Sequence, residues 1–128
     1  DRFTNVSGSS AYYKGGIVAY RNKVKHDMLD VKKDTLETYG AVSEETALEM
    51  AIGVRKKLSS DIGLSTTGIA GPTGGTDEKP VGLIYVGLSH ENGEKVYKFT
   101  FTSSRLTNKL MTSQAALNIT RLYLLYGS

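Results

Sequence analysis

Residues 62–89 read IGLSTTGIAGPTGGTDEKPVGLIYVGLS, and the way this stretch divides decides the fold. Residues 62–67 are rich in apolar and β-branched side chains and suit a strand. Residues 68–80 form a segment punctuated by glycine and proline, and residues 81–89 return to strand composition. A further β-rich run, residues 95–102, follows His90-Glu91-Asn92-Gly93-Glu94. Asn92-Gly93 is a strong hairpin signal, because both residue types tolerate the positive φ that tight hairpin turns require. An antiparallel pair is therefore expected.

Helices flank these strands. Ser43 followed by Glu44 and Glu45 places a hydroxyl cap and two carboxylates where a helix has unpaired N–H groups and a positive dipole end. Ala47, Leu48, Met50, Ala51, Val54 and Leu58 then recur at three- and four-residue spacing, with Glu49, Arg55, Lys56 and Lys57 on the other face. This predicts an amphipathic helix lying on a sheet. Ser103 or Ser104 is expected to cap a long last helix whose apolar positions include Leu106, Leu110, Ala115, Leu117, Leu122 and Leu125. Upstream, GGIVAY at residues 15–20 reads as a buried strand, residues 21–29 as a short helix, and a brief helical turn stops at Tyr39-Gly40. The order of elements predicts an α/β domain of three layers, with helices covering a mixed sheet.

With 128 residues the chain is one domain, residues 1–128. Residues 1–6 read as the end of a helix entering a turn at Ser7-Gly8, and without an initiator methionine the chain reads as a fragment. The net charge of +3 arises from scattered residues, so no direct nucleic-acid contact is expected. The chain has no cysteine, which excludes disulfides and thiolate chemistry. His26 and His90 lack a carboxylate at ligand spacing, so no metal site is expected. No apolar run spans a bilayer, and a soluble cytoplasmic protein is expected.

Three groups of residues carry possible chemistry. Residues 67–76 place four glycines and three threonines just after a strand. Such a loop either cradles an anion with its backbone N–H groups or is a structural crossover with tight turns. It is neither a Walker loop nor a dinucleotide fingerprint. Tyr20, Asn22 and Lys25 follow the first apolar run. A lysine there is a general base only if desolvation or a neighbouring cation leaves it neutral; otherwise it is a solvated side chain, and spacing does not choose Lys25 over Lys14 or Lys23. Ser7, Ser9 and Ser10 flank Gly8 without a nucleophile-elbow or Ser-x-x-Lys pattern, and read best as a turn with hydroxyl caps.

Taken in order and spacing, Gly8-Ser9-Ser10-Ala11-Tyr12, GGIVAYRN at residues 15–22, YGAVSEE at residues 39–45 and TGIAGPTGGTDEKPVG at residues 67–82 resemble the carboxy-terminal domain of the CinA family. The resemblance runs over essentially the whole chain. It implies hydrolysis of the carboxamide of nicotinamide mononucleotide to nicotinate mononucleotide and ammonia, without metal or cofactor. The family site pairs a serine nucleophile with a lysine and a tyrosine, which carries over to Lys25 and Tyr20. Position 21 is Arg21 where the family usually has a small serine. Ser9, Ser10, Asn22, Gly71, Thr73, Gly74, Gly75, Thr76 and Arg105 are the implied substrate contacts. The family serine lies in a glutamate-serine-x-threonine-glycine-glycine segment, absent from residues 1–128 and expected upstream with a strand of the sheet. Many bacterial relatives place a molybdopterin-binding-like domain before this one. Self-association into a homo-oligomer is expected, and no membrane partner. The competing readings are a nucleotide-binding or regulatory module without turnover, and a protein-interaction domain in competence.

Overall fold

The structure, a computed structural model, describes residues 15–127. Within them lie α1 (Asn22–Leu29), α2 (Lys33–Tyr39), α3 (Glu44–Lys57), β1 (Gly63–Gly68), β2 (Leu83–His90), β3 (Gly93–Thr100) and α4 (Arg105–Tyr126). The expected turn at Ser7-Gly8, with Ser9 and Ser10, and Lys14 fall outside the described residues.

The strands form one sheet in the order β1-β2-β3, antiparallel throughout, with Thr66 opposite Val86 and Val86 opposite Tyr97. The α/β architecture is as expected, although the described strands include no parallel pair. The β2–β3 hairpin turns on Glu91 and Asn92 alone, so both strands reach further into the turn than the expected runs 81–89 and 95–102, and at their far ends each stops two residues short of them. Helix α3 packs against the sheet on one face and α4 on the other, while α1 and α2 lie on α3. On the α4 face, Ile84, Val86 and Leu88 meet Ala116 and Ile119. A second apolar cluster joins Leu29 and Val31 to Met50.

Close approach of α3 to the sheet needs Gly87. A Cβ there would stand 2.4 Å from the Ala47 carbonyl oxygen and 2.6 Å from Ser65 Oγ. The contact is polar: Ser65 Oγ donates to Ala47 O at 2.6 Å and Thr67 Oγ1 to Ala41 O at 2.7 Å. Ser43 caps α3 as expected, its Oγ accepting from Thr46 N at 3.1 Å. Helix α2 has no cap from its own sequence. Glu49 of α3 supplies one, accepting from Lys32 N at 2.8 Å and Thr35 Oγ1 at 2.6 Å. A carboxylate at that end opposes the helix dipole favourably.

Two expectations are corrected. Residues 15–20 form no strand: they carry no regular secondary structure, hydrogen-bond to no described strand, and leave Val18 90% exposed. Their side chains alternate between half-buried and exposed, which is strand periodicity without a ladder to any strand among the described residues. The buried stripe of α4 is also not the leucine set. It runs through Asn108, Thr112, Ala116 and Ile119, leaving Leu106, Leu110 and Leu125 exposed.

Candidate functional site

The glycine-rich segment, residues 69–82, connects two adjacent antiparallel strands, so it is a long hairpin loop and not a crossover. Its base is closed by Ile69 N donating to Leu83 O at 3.0 Å and Gly82 N to Ile69 O at 2.6 Å. Gly71 is buried with φ +87, and a Cβ there would meet Val81 Cγ1 at 2.4 Å, so the position accepts only glycine. Thr73, Gly74 and Gly75 are exposed. Thr76 turns the chain back: its N–H donates to Lys79 O, and its hydroxyl accepts from Lys79 N at 3.0 Å.

Helix α4 locks this loop by its first turns. Ser104 caps the helix, its Oγ accepting from Thr107 N. Arg105 Nη1 donates to Gly71 O at 2.9 Å. Asn108 is fully buried: its Nδ2 donates to Ala70 O and Ser103 O, and its Oδ1 accepts from Ser103 N. A polar residue thus holds a core position of α4 because two loop carbonyls and an amide need partners there.

Lys25 sits in α1 and is 6% exposed. Its Nζ donates to Ala19 O at 2.9 Å, tying α1 to residues 15–20. Burial holds the Lys25 ammonium below its ordinary value of 10.5, because a desolvated cation is disfavoured relative to the neutral amine. Lys23, an equal candidate by sequence, is exposed. Tyr20 is 87% exposed, Asn22 opens α1 on the surface, and neither has a side-chain hydrogen bond to Lys25 among the described residues. The histidines are occupied structurally: the His26 ring stands 2.8 Å from Val31 O through Nδ1, and His90 stacks on Tyr123 at 4.0 Å between centroids. No group of three or more potential metal ligands occurs among the described residues.

Two spaces with shared walls open beside β1. One is a cavity of about 240 Å³ at the end of β1, walled by Thr66, Thr67 and Gly68 and by Lys109, Thr112 and Ser113 of α4. The other is a groove of about 1120 Å³ along the edge of β1 that no other described strand pairs with, between residues 15–20 and the later turns of α4. Thr66, Thr112 and Ser113 border both, and Ala19 and Tyr20 line the groove. Sequence reading did not single out Lys109, Thr112 or Ser113. Their spacing on one helical face after the loop was the available signal.

The family model of the CinA C-terminal domain matches residues 1–124. The chain belongs to this family. A relative from Halothermothrix orenii, named among the competence-damage inducible proteins, is 60% identical over 116 residues, covering 90% of this chain and 28% of the relative. A CinA-like protein of Sulfurihydrogenibium is 48% identical over 127 residues, covering 99% of this chain and 32% of its own length. The chain thus spans under a third of the length of these curated relatives. The crystal structure of the competence/damage inducible protein CihA of Agrobacterium tumefaciens superposes with a TM-score of 0.86 at 41% identity, covering 91% of this chain and 72% of that one. The competence damage-inducible protein A of Klebsiella pneumoniae gives 0.93 at 25% identity, covering 98% and 78%. These CinA relatives carry the same α/β fold. No helix among the described residues is long and apolar enough to cross a membrane.

Proposed function

We propose that this domain hydrolyses the carboxamide of nicotinamide mononucleotide, with Lys25 as general base. The observation that supports it is the state of Lys25: a buried amine, held below its ordinary pKa by desolvation, with one backbone acceptor as its partner. A lysine in that state gives up the cost of its charge when neutral and can then take a proton.

In this reading the nucleophile is a serine on a segment outside residues 1–128. That segment lies as a strand in the groove between residues 15–20 and β1. The groove is bordered by apolar side chains such as Ile17, Val54 and Leu64, and among the described residues β1 pairs with β2 alone. An unpaired edge of that kind invites a further strand, and the solved relatives extend beyond this chain. The serine O–H proton passes to Lys25 Nζ as the serine oxygen bonds to the carboxamide carbon. Backbone N–H groups stabilise the resulting oxyanion. The C–N bond then breaks, the proton returns to the leaving nitrogen, and ammonia departs. Water, deprotonated in turn by Lys25, cleaves the acyl-serine ester to the carboxylate. Tyr20 borders the groove and orients or relays protons once a substrate is held there.

The test is ammonia release from nicotinamide mononucleotide by the protein carrying that segment, with Lys25→Ala compared against wild type. Loss of turnover by about two to four orders of magnitude is expected for removal of a general base, with folding retained. Near-normal turnover by folded Lys25→Ala would end this assignment.

A further inference from the structure

The cavity at the end of β1 has a chemical character of its own. Among the described residues its one charged lining side chain is Lys109, and no carboxylate lines it. Most of its hydroxyl protons are already committed. Thr67 Oγ1 donates to Ala41 O, Thr112 Oγ1 to Asn108 O and Ser113 Oγ to Lys109 O, so in this arrangement none of these hydroxyl protons is open to a ligand. Two side-chain donors are left over. The Lys109 ammonium and the Thr66 hydroxyl have no hydrogen-bond or ion-pair partner among the described residues, and they stand on opposite walls, one on α4 and one on β1. A cation and a hydroxyl donor across a cavity without acids select a ligand group rich in acceptors and negative in charge.

The walls are held by structure, which pre-organises the space. Asn108, next to Lys109, is fixed by three hydrogen bonds to residues 70 and 103. Gly68 leaves its side of the wall open to Ile84, whose Cδ1 would lie 2.2 Å from a Cβ at that position. The volume of about 240 Å³ exceeds what one oxyanion fills, and the cavity shares Thr66 and Ser113 with the groove bordered by Ala19 and Tyr20. A ligand anchored by its anion therefore has the groove beside it for its other end.

We propose that this cavity is the phosphate subsite, binding a phosphomonoester through Lys109 and Thr66. That this phosphomonoester is the substrate rests on the amidase reading; that the cavity binds a phosphorylated sugar does not. The glycine-rich loop is then a wall-builder: Arg105 is engaged with Gly71 O and Thr76 with Lys79 N.

Ribose 5-phosphate and ribose are titrated calorimetrically into the polypeptide carrying the serine-bearing segment, as wild type, Lys109→Gln, Lys109→Glu and Thr66→Val, and ammonia release by the same proteins is measured with nicotinamide mononucleotide and with the riboside lacking phosphate. Lys109 and Thr66 are exposed, so these substitutions leave the fold in place. Ribose 5-phosphate is expected to bind and ribose not. Lys109→Gln is expected to weaken the phosphate ester by about ten- to a hundredfold, Lys109→Glu to abolish binding, and Thr66→Val to weaken it less. In the kinetic arm Lys109→Gln raises KM for the nucleotide and leaves the riboside unaffected. Lys109-dependent binding without ammonia release would keep the subsite and remove the amidase reading. Turnover that is indifferent to Lys109→Glu, or no binding of ribose 5-phosphate by wild type, would overturn the subsite.

Discussion

At the scale of single residues, Lys25 links stability and activity to pH. Its folded pKa lies below the 10.5 of the unfolded chain, because burial disfavours the ammonium. Below the folded value both states are protonated and the cost of burying the charge is fully present. Between that value and 10.5 the unfolded chain holds a proton that the folded chain has released, so stability rises with pH; above 10.5 the cost is gone. Lys25→Met is expected to remove this rise and to be the more stable protein at neutral pH, as read from urea midpoints across that window. A variant with an unchanged pH slope would show that Lys25 is not desolvated. The same depression sets the rate: kcat/KM for amide hydrolysis is expected to climb through a pKa below 10.5 as the neutral amine forms. The sequence marked Lys25 only by family resemblance. Its burial comes from packing between α1 and residues 15–20, which no local pattern reveals.

At the scale of elements, polar residues in core positions join helix to sheet. Asn108→Ala would strip partners from Ala70 O, Ser103 O and Ser103 N. A loss of about 2–3 kcal/mol is expected, with faster amide exchange in residues 69–82 than in β2. Uniform exchange across loop and strand would argue that α4 does not hold the loop. Gly87→Ala drives a methyl into the Ala47 carbonyl, a backbone atom that yields only if α3 moves. It is expected to cost at least about 1–3 kcal/mol in chemical denaturation, whereas Ser43→Ala, which removes the α3 cap and the hydroxyl's hydrogen bond to Gly40 O, is expected to cost about 1–2 kcal/mol. Helix α3 was legible because its cap, charges and apolar spacing agree. Helix α4 was legible in extent but not in facing: its buried stripe opens with Asn108 and Thr112, which hydropathy assigns to water, while Leu106 and Leu110 remain exposed. The hairpin was read from Asn92-Gly93. Its neighbour β1 was legible as a strand, and its direct antiparallel return to β2 was masked by the length of the loop between them.

At the scale of the whole molecule, the sheet of the described residues ends at β1 with an apolar groove beside it, and residues 15–20 form the far bank. Their composition speaks for a strand, and their alternation is that of a strand; what composition does not carry is whether a neighbour is present to pair. Fold class was therefore readable from local signals, whereas the proposed site draws on Lys25 of α1 and on Thr66 and Lys109, which wall one cavity from β1 and α4, placements set by tertiary packing. The most direct test measures ammonia release from nicotinamide mononucleotide side by side for residues 1–128 alone and for a polypeptide in which the serine-bearing segment precedes them. Release only from the second, lost again on Lys25→Ala, is the expected result. Release from residues 1–128 alone, or from neither, would contradict it.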